Sequence, residues 1–202
     1  MPETARIEAF SDGVFAIAIT LLIIEVRVPE LADDARSAVG LFEALVRQWP
    51  SYLGFLISFV VIGIMWANHH NIFKYIRRSN HVFVMLNVLL LMCVAFVPFP
   101  TAVLAEYLQE PGARVTAAAL YSGTYTVTAI VYNALWRYAA MNGRLLGAHT
   151  DPVLVRAITR QFLIGPVLYA ASTALAFVSV PASLAVHGLL AILYLLPNPA
   201  RR

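Results

Sequence analysis

Six apolar stretches dominate this chain of 202 residues, at about 8–28, 51–73, 82–105, 115–138, 157–179 and 183–197. About 20 apolar residues in a helix cross the roughly 30 Å hydrocarbon core of a bilayer. Within lipid, a helix satisfies its backbone hydrogen bonds inside one segment. The chain is 60% hydrophobic and 12% charged, against about 25% charged residues in a soluble domain. It cannot clothe itself in polar surface. The expected fold is therefore all-α: a polytopic membrane protein of six transmembrane helices, forming one domain over residues 1–202.

The connecting segments set the orientation. With a cytoplasmic N-terminus, Arg6, Lys74, Arg77, Arg78, Arg137, Arg144, Arg156, Arg160, Arg201 and Arg202 face the cytoplasm, while Arg27, Arg36, Arg47 and Arg114 face out. Basic residues gather on the cytoplasmic side of membrane proteins, so both termini are expected inside. The net charge of +3 then reflects topology, not a nucleic-acid partner. The first stretch does not read as a cleaved leader, because Glu3 and Glu8 flank it beside Arg6. The single cysteine, Cys93, lies inside an apolar run and can form no intrachain disulfide.

Between the first two stretches, Val39, Phe42, Leu45 and Val46 recur at helical spacing and predict a short interfacial helix. Trp49 and Tyr52 suit the water–lipid boundary. Pro98 and Pro100 should kink or unwind the far end of the third span. The fourth span carries Thr116, Ser122, Thr124, Tyr125, Thr126, Thr128 and Asn133, a polar stripe that reads first as helix–helix glue and second as a permeation path.

The first span stands apart. Its helical face collects Gly13, Ile17, Thr20, Leu21 and Ile24, and its mouth carries Arg6, Ser11 and Asp12. Ile17, Leu21 and Ile24 serve either as packing or as an apolar ring that excludes water from a path. Thr20 either bonds back to its own helix or offers hydroxyls to a dehydrating cation. Ser11 or Asp12 either caps the helix or joins Arg6, His69 or His70, Trp66 and Asn87 in a polar cluster at the cytoplasmic end. Adjacent His69 and His70 diverge by about 100° on a helix, and no Cys or Glu stands at ligand spacing, so no structural metal is expected. A nucleophile–base pattern, a phosphate loop and HExxH are all missing, so the chain is not expected to be an enzyme or to need a cofactor. It also lacks a TVGYG-like carbonyl filter, so any conduction must run past side chains.

Arg6-x-x-x-Phe10-Ser11-Asp12 resembles the RxxxFSD signature of the transmembrane protein 175 family of potassium channels. The resemblance continues through Gly13 to Leu22, then in Trp66-x-x-His69-His70 with Phe73, and in Asn87 followed by Pro98-Phe99-Pro100-Thr101. It covers the first three spans, and the last three match mainly in length and hydropathy. It implies a single-repeat, prokaryotic-type member in the cell membrane, built as a homotetramer with the first helix lining a central pore. The resemblance also assigns the constriction to Ile17, further narrow layers to Leu21 and Ile24, and a contribution to selectivity to Thr20, with K+ passing transiently near it. It assigns Arg6 and Asp12 to a charged pair anchored through the Trp and His of the second span, which makes Arg6, Phe10, Ser11, Asp12, Trp66, His69, His70 and Asn87 the holding network. The partners implied are the bilayer, other copies of the chain, and K+ with other monovalent cations. The rivals are a proton-coupled transporter relaying through Asp12 and His69 or His70, and a non-conducting membrane scaffold.

Overall fold

The computed structural model describes residues 4–30, 37–148 and 150–195. Arg36, Arg201 and Arg202, which entered the orientation argument, and the end of the sixth expected span lie outside them. The elements are α1 (Ala5–Leu21), α2 (Ala38–Arg47), α3 (Trp49–Phe73), α4 (His81–Phe96), α5 (Pro98–Tyr107), α6 (Arg114–Ala140), α7 (Pro152–Ala176) and α8 (Val180–Leu195), with 3₁₀ turns at Leu22–Glu25 and Met141–Gly143. Four helical stretches, Ala5–Glu25, Trp49–Phe73, His81–Tyr107 and Pro152–Ala176, are long and apolar enough to cross a membrane. The apolar helix Val180–Ile192 is shorter.

The polar stripe explains why α6 falls outside those four, although its 27 residues extend about 40 Å. Within it, the hydroxyls of Thr124, Thr126 and Thr128 donate to the carbonyls of Leu120, Ser122 and Thr124, so they carry no unpaired donor. This helix is the hub: it touches α4, α5, α7 and α8. Small residues admit α7 closely, for a Cβ on Gly165 would lie 3.8 Å from Ala129 Cβ.

Local chemistry sets most boundaries. Asn80 caps α4 by accepting from Phe83 N at 2.9 Å, and Asp151 caps α7 with Pro152 in its first turn. The first helix starts at Ala5 and loses α geometry after Leu21, earlier than the 28 expected. β-Branched Ile23, Ile24, Val26 and Val28 crowd a helical turn, and Pro29 disfavours it further. The third span divides at Val97. Pro98 has no N–H for the Val94 carbonyl, and Val97 N bonds that carbonyl instead at 3.1 Å.

Pro166 interrupts α7 in the same way, leaving the Phe162 carbonyl without its helical donor. Asn133 of α6 supplies one, with Nδ2 donating at 2.8 Å while its Oδ1 accepts from Arg137 Nε. Asn133→Leu should therefore cost about 1–3 kcal/mol. Adding Pro166→Ala restores the intrahelical bond and should recover most of that loss. Thermal melts of the two variants in detergent check this.

At one end of the bundle, two loops are knitted by an antiparallel bridge between Ile76 and Leu146. Gly147 N bonds Tyr75 O, Arg77 N bonds Leu145 O, and Thr4 Oγ1 donates to Ile76 O. The start of α1 and the segments carrying Lys74, Arg77, Arg78 and Arg144 thus share that end.

Candidate functional site

The first helix lies at the edge of the bundle, in the groove between α3 and α4. Ser11, Phe15 and Ala18, followed by Leu22 in the 3₁₀ turn, enter the core at spacings of three and four. The opposite face carries Phe10, Gly13, Ile17, Thr20, Leu21 and Ile24, all exposed. Ile17 is 60%, Leu21 41% and Ile24 64% exposed. Among the described residues, these side chains have no partner of the kind given to the inner face.

Two polar pairs and a buried triad seat the inner face. Glu8 and Asp12 are one turn apart on α1, as are Trp66 and His70 on α3, and antiparallel packing brings them together as two rungs. Trp66 Nε1 donates to Asp12 Oδ1 at 2.9 Å. His70 Nδ1 meets Glu8 Oε1 at 2.9 Å in a half-exposed pair. Between and beneath these rungs lies a dry triad. Asn87 of α4 donates from Nδ2 to Ser11 Oγ at 3.0 Å, and Ser11 passes its own proton to Ile7 O at 2.8 Å. That leaves Asn87 Oδ1 as an acceptor, so the network assigns the proton of the 2.9 Å His69–Asn87 contact to His69 Nε2. The imidazole stacks on Phe73, with centroids 4.5 Å apart, and meets Phe15 at 5.4 Å.

The structure thus brings Ser11, Asp12, Trp66, His69, His70 and Asn87 together around α1. Arg6 does not join them: it is exposed and makes no hydrogen bond or ion pair with a described residue. Phe10, also exposed, stands two turns before Ile17 on the outward face. Thr20 donates to Ala16 O at 3.0 Å or Ile17 O at 2.9 Å. This back-bond uses its proton and leaves the oxygen lone pairs on the exposed face. Among the described residues, no group of three His, Cys, Asp or Glu could hold a metal.

Sequence reasoning missed two features. The sequence presents Glu8 as a flanking charge, although its i, i+4 relation to Asp12 matches that of Trp66 to His70. The second is a buried cluster in the housing. Ser122 of α6 meets Ser172 of α7, and Ser183 and His187 of α8, at 3.3, 3.1 and 3.0 Å. Tyr121, Tyr125 and Tyr169 surround the His187 ring at 5.0, 5.3 and 5.1 Å. Nothing in the spacing of those serines along the chain announces that they converge.

A family model described as "Endosomal/lysosomal potassium channel TMEM175" matches residues 6–98, which run from the first turn of α1 through α2, α3 and α4. A potassium channel of Chamaesiphon minutus is 53% identical over 98% of this chain and 96% of its own length. Another of Streptomyces collinus is 49% identical over 96% of this chain and 92% of its own length. The crystal structure of a lysosomal potassium-selective channel TMEM175 homolog from Chamaesiphon minutus superposes with a TM-score of 0.85 at 50% identity. The superposition covers 95% of this chain and 96% of that one.

Proposed function

This chain belongs to the TMEM175 family of potassium channels, and from that membership we propose that its conducting path is built by several copies of α1 facing one another. The protein is a multi-pass potassium channel of the cell membrane, and its work is permeation, not catalysis. One observation carries the proposal: the face of α1 bearing Ile17, Leu21 and Ile24 is exposed, although the other face is built tightly into the core. A single helix cannot enclose a hole, so this face needs other copies. Four copies agree with the family resemblance. In such a tetramer Ile17 forms the hydrophobic constriction, Leu21 and Ile24 extend the narrow path, and Thr20 presents oxygens to a partly dehydrated K+.

Six crossings make up each subunit, by α1, α3, the α4–α5 pair, α6, α7 and α8, within a single domain over 1–202. The bridge between the 74–80 and 141–150 segments supports a common, cytoplasmic side for Lys74, Arg77, Arg78 and Arg144. Arg27, Arg47 and Arg114 belong to the other side, as the loop contact from Gln109 Nε2 to Arg47 O suits. Ser11, Asp12, Trp66, His69, His70 and Asn87 then anchor the pore helix and need no cofactor. The polar pairs are separate, Asp12 to Trp66, His70 to Glu8 and His69 to Asn87, which speaks against a transporter's proton relay through Asp12 and a histidine.

The test is K+ and Na+ flux into liposomes, with the oligomer mass measured on the same preparation. Thr20→Val keeps the shape and removes the oxygen. It should leave assembly intact and lower the K+ over Na+ preference by about fivefold, the equivalent of ~1 kcal/mol. Wild-type protein that is monomeric or passes no K+ overturns the reading.

A further inference from the structure

The face of α3 opposite Trp66, His69 and His70 borders a cleft with no assigned occupant. It opens between α3 and α7 and is floored by Ala129 and Tyr132 of α6. Its lower part is a cavity of about 490 Å³. Its upper part is a narrow apolar slot lined by Val61, Ile64, Met65, Gly165 and Pro166. Asn68 and Phe162 line both parts, so the two form one continuous groove.

The groove changes polarity along its length. Its mouth holds Asn71, Lys74 and Gln161 at the basic end of the bundle, and Lys74 Nζ donates to Asn71 Oδ1 at 2.9 Å. Arg156 and Arg160 stand in the same turns of α7. No carboxylate lines either part. Asn68 lies within α3, in the groove, and neither its side chain nor that of Gln161 hydrogen-bonds a described residue. Half-buried amides beside an apolar slot favour an occupant that offers them hydrogen bonds, and among the described residues none does.

We propose that this cleft holds one anionic glycerophospholipid per protomer. Its phosphate and headgroup lie at Lys74, Asn68 and Gln161, and an acyl chain runs up the slot along Ile64, Met65 and Pro166. A cationic, donor-rich mouth below an apolar slot reproduces the order of a phospholipid from headgroup to tail. A helix from a second copy would leave Lys74 and the two amides facing apolar side chains. The proposal rests on the membrane location of the chain and is independent of where the pore runs.

The test adds phosphatidylglycerol or phosphatidylcholine to the delipidated full chain in mild detergent and counts retained lipids by native mass spectrometry. Wild type should retain one phosphatidylglycerol per protomer, with about fivefold preference over phosphatidylcholine, the effect of one lysine near an anionic headgroup. Lys74→Gln should erase that preference. Ala157→Trp, at the exposed rim, should block the groove and lose both lipids. Equal retention of the two lipids by the wild type, or wild-type behaviour in either variant, overturns the proposal.

Discussion

Replacing Ile17 by asparagine should raise K+ flux through the reconstituted protein by more than about tenfold and reduce its discrimination against Na+. The side chain is 60% exposed in the isolated subunit, so the substitution disturbs little of the core. In the proposed tetramer, four isoleucine side chains meet and exclude water. Four amides would instead hold it. Each amide–water hydrogen bond contributes ~1 kcal/mol, and a barrier lower by only 1.4 kcal/mol already gives tenfold. Ala16 stands next to Ile17 on the exposed side of the helix, so Ala16→Asn controls for general loosening. If Ile17→Asn and wild type conduct equally, the constriction lies elsewhere on α1 or on another helix.

Asn87→Leu should be the most destabilising single change near α1. It removes both bonds of the central amide at once, leaving His69 Nε2–H without an acceptor and Ser11 Oγ without its donor. Both sites are fully buried. Each orphaned group costs about 1–3 kcal/mol, so the sum is of the order of 3 kcal/mol, or on the order of 10 °C in Tm. The outcome that separates this mechanism from simple misfit is the double variant. His69→Leu with Asn87→Leu removes donor and acceptor together and should recover part of the loss, because apolar replacement of both partners is nearly neutral. A double variant no more stable than Asn87→Leu alone rules out the paired-bond account. K+ flux should follow the same order, since the triad holds α1 in its groove.

These effects differ because the two faces of one helix do different work. The inner face gains stability from packing and a few dry hydrogen bonds, so its substitutions register as melting temperatures. The outer face has no such partner among the described residues, and in the proposed tetramer its substitutions register as flux. Trp66 and His70 fall between. Their bonds to Asp12 and Glu8 are partly solvated, and their individual worth is correspondingly smaller.

Much of this is legible in the sequence. Local chemistry sufficed for the membrane-type, all-helical fold, the amphipathic α2, the break at Pro98 and the two faces of α1, because each follows from hydropathy, helical period or proline's missing N–H. Family resemblance points to Arg6, Phe10, Ser11, Asp12, Trp66, His69, His70 and Asn87 as a group, and the structure leaves exposed Arg6 and Phe10 outside it. The pairing within that group was not legible. Whether Asp12 meets His69, His70 or Trp66 depends on the register of α1 against α3. That register is set by Phe15 packing on His69 and by Asn87 arriving from α4, tens of residues away in the chain. The same limit hid the junction of Ser122, Ser172, Ser183 and His187, and the Ile76–Leu146 bridge, since periodicity along one segment says nothing about which segments meet. The sequence by itself determined what each helix is and which side of it is polar. Only the tertiary structure decided which polar side chains face one another, because side-chain hydrogen bonds reach about 3 Å and depend on the relative placement of whole helices.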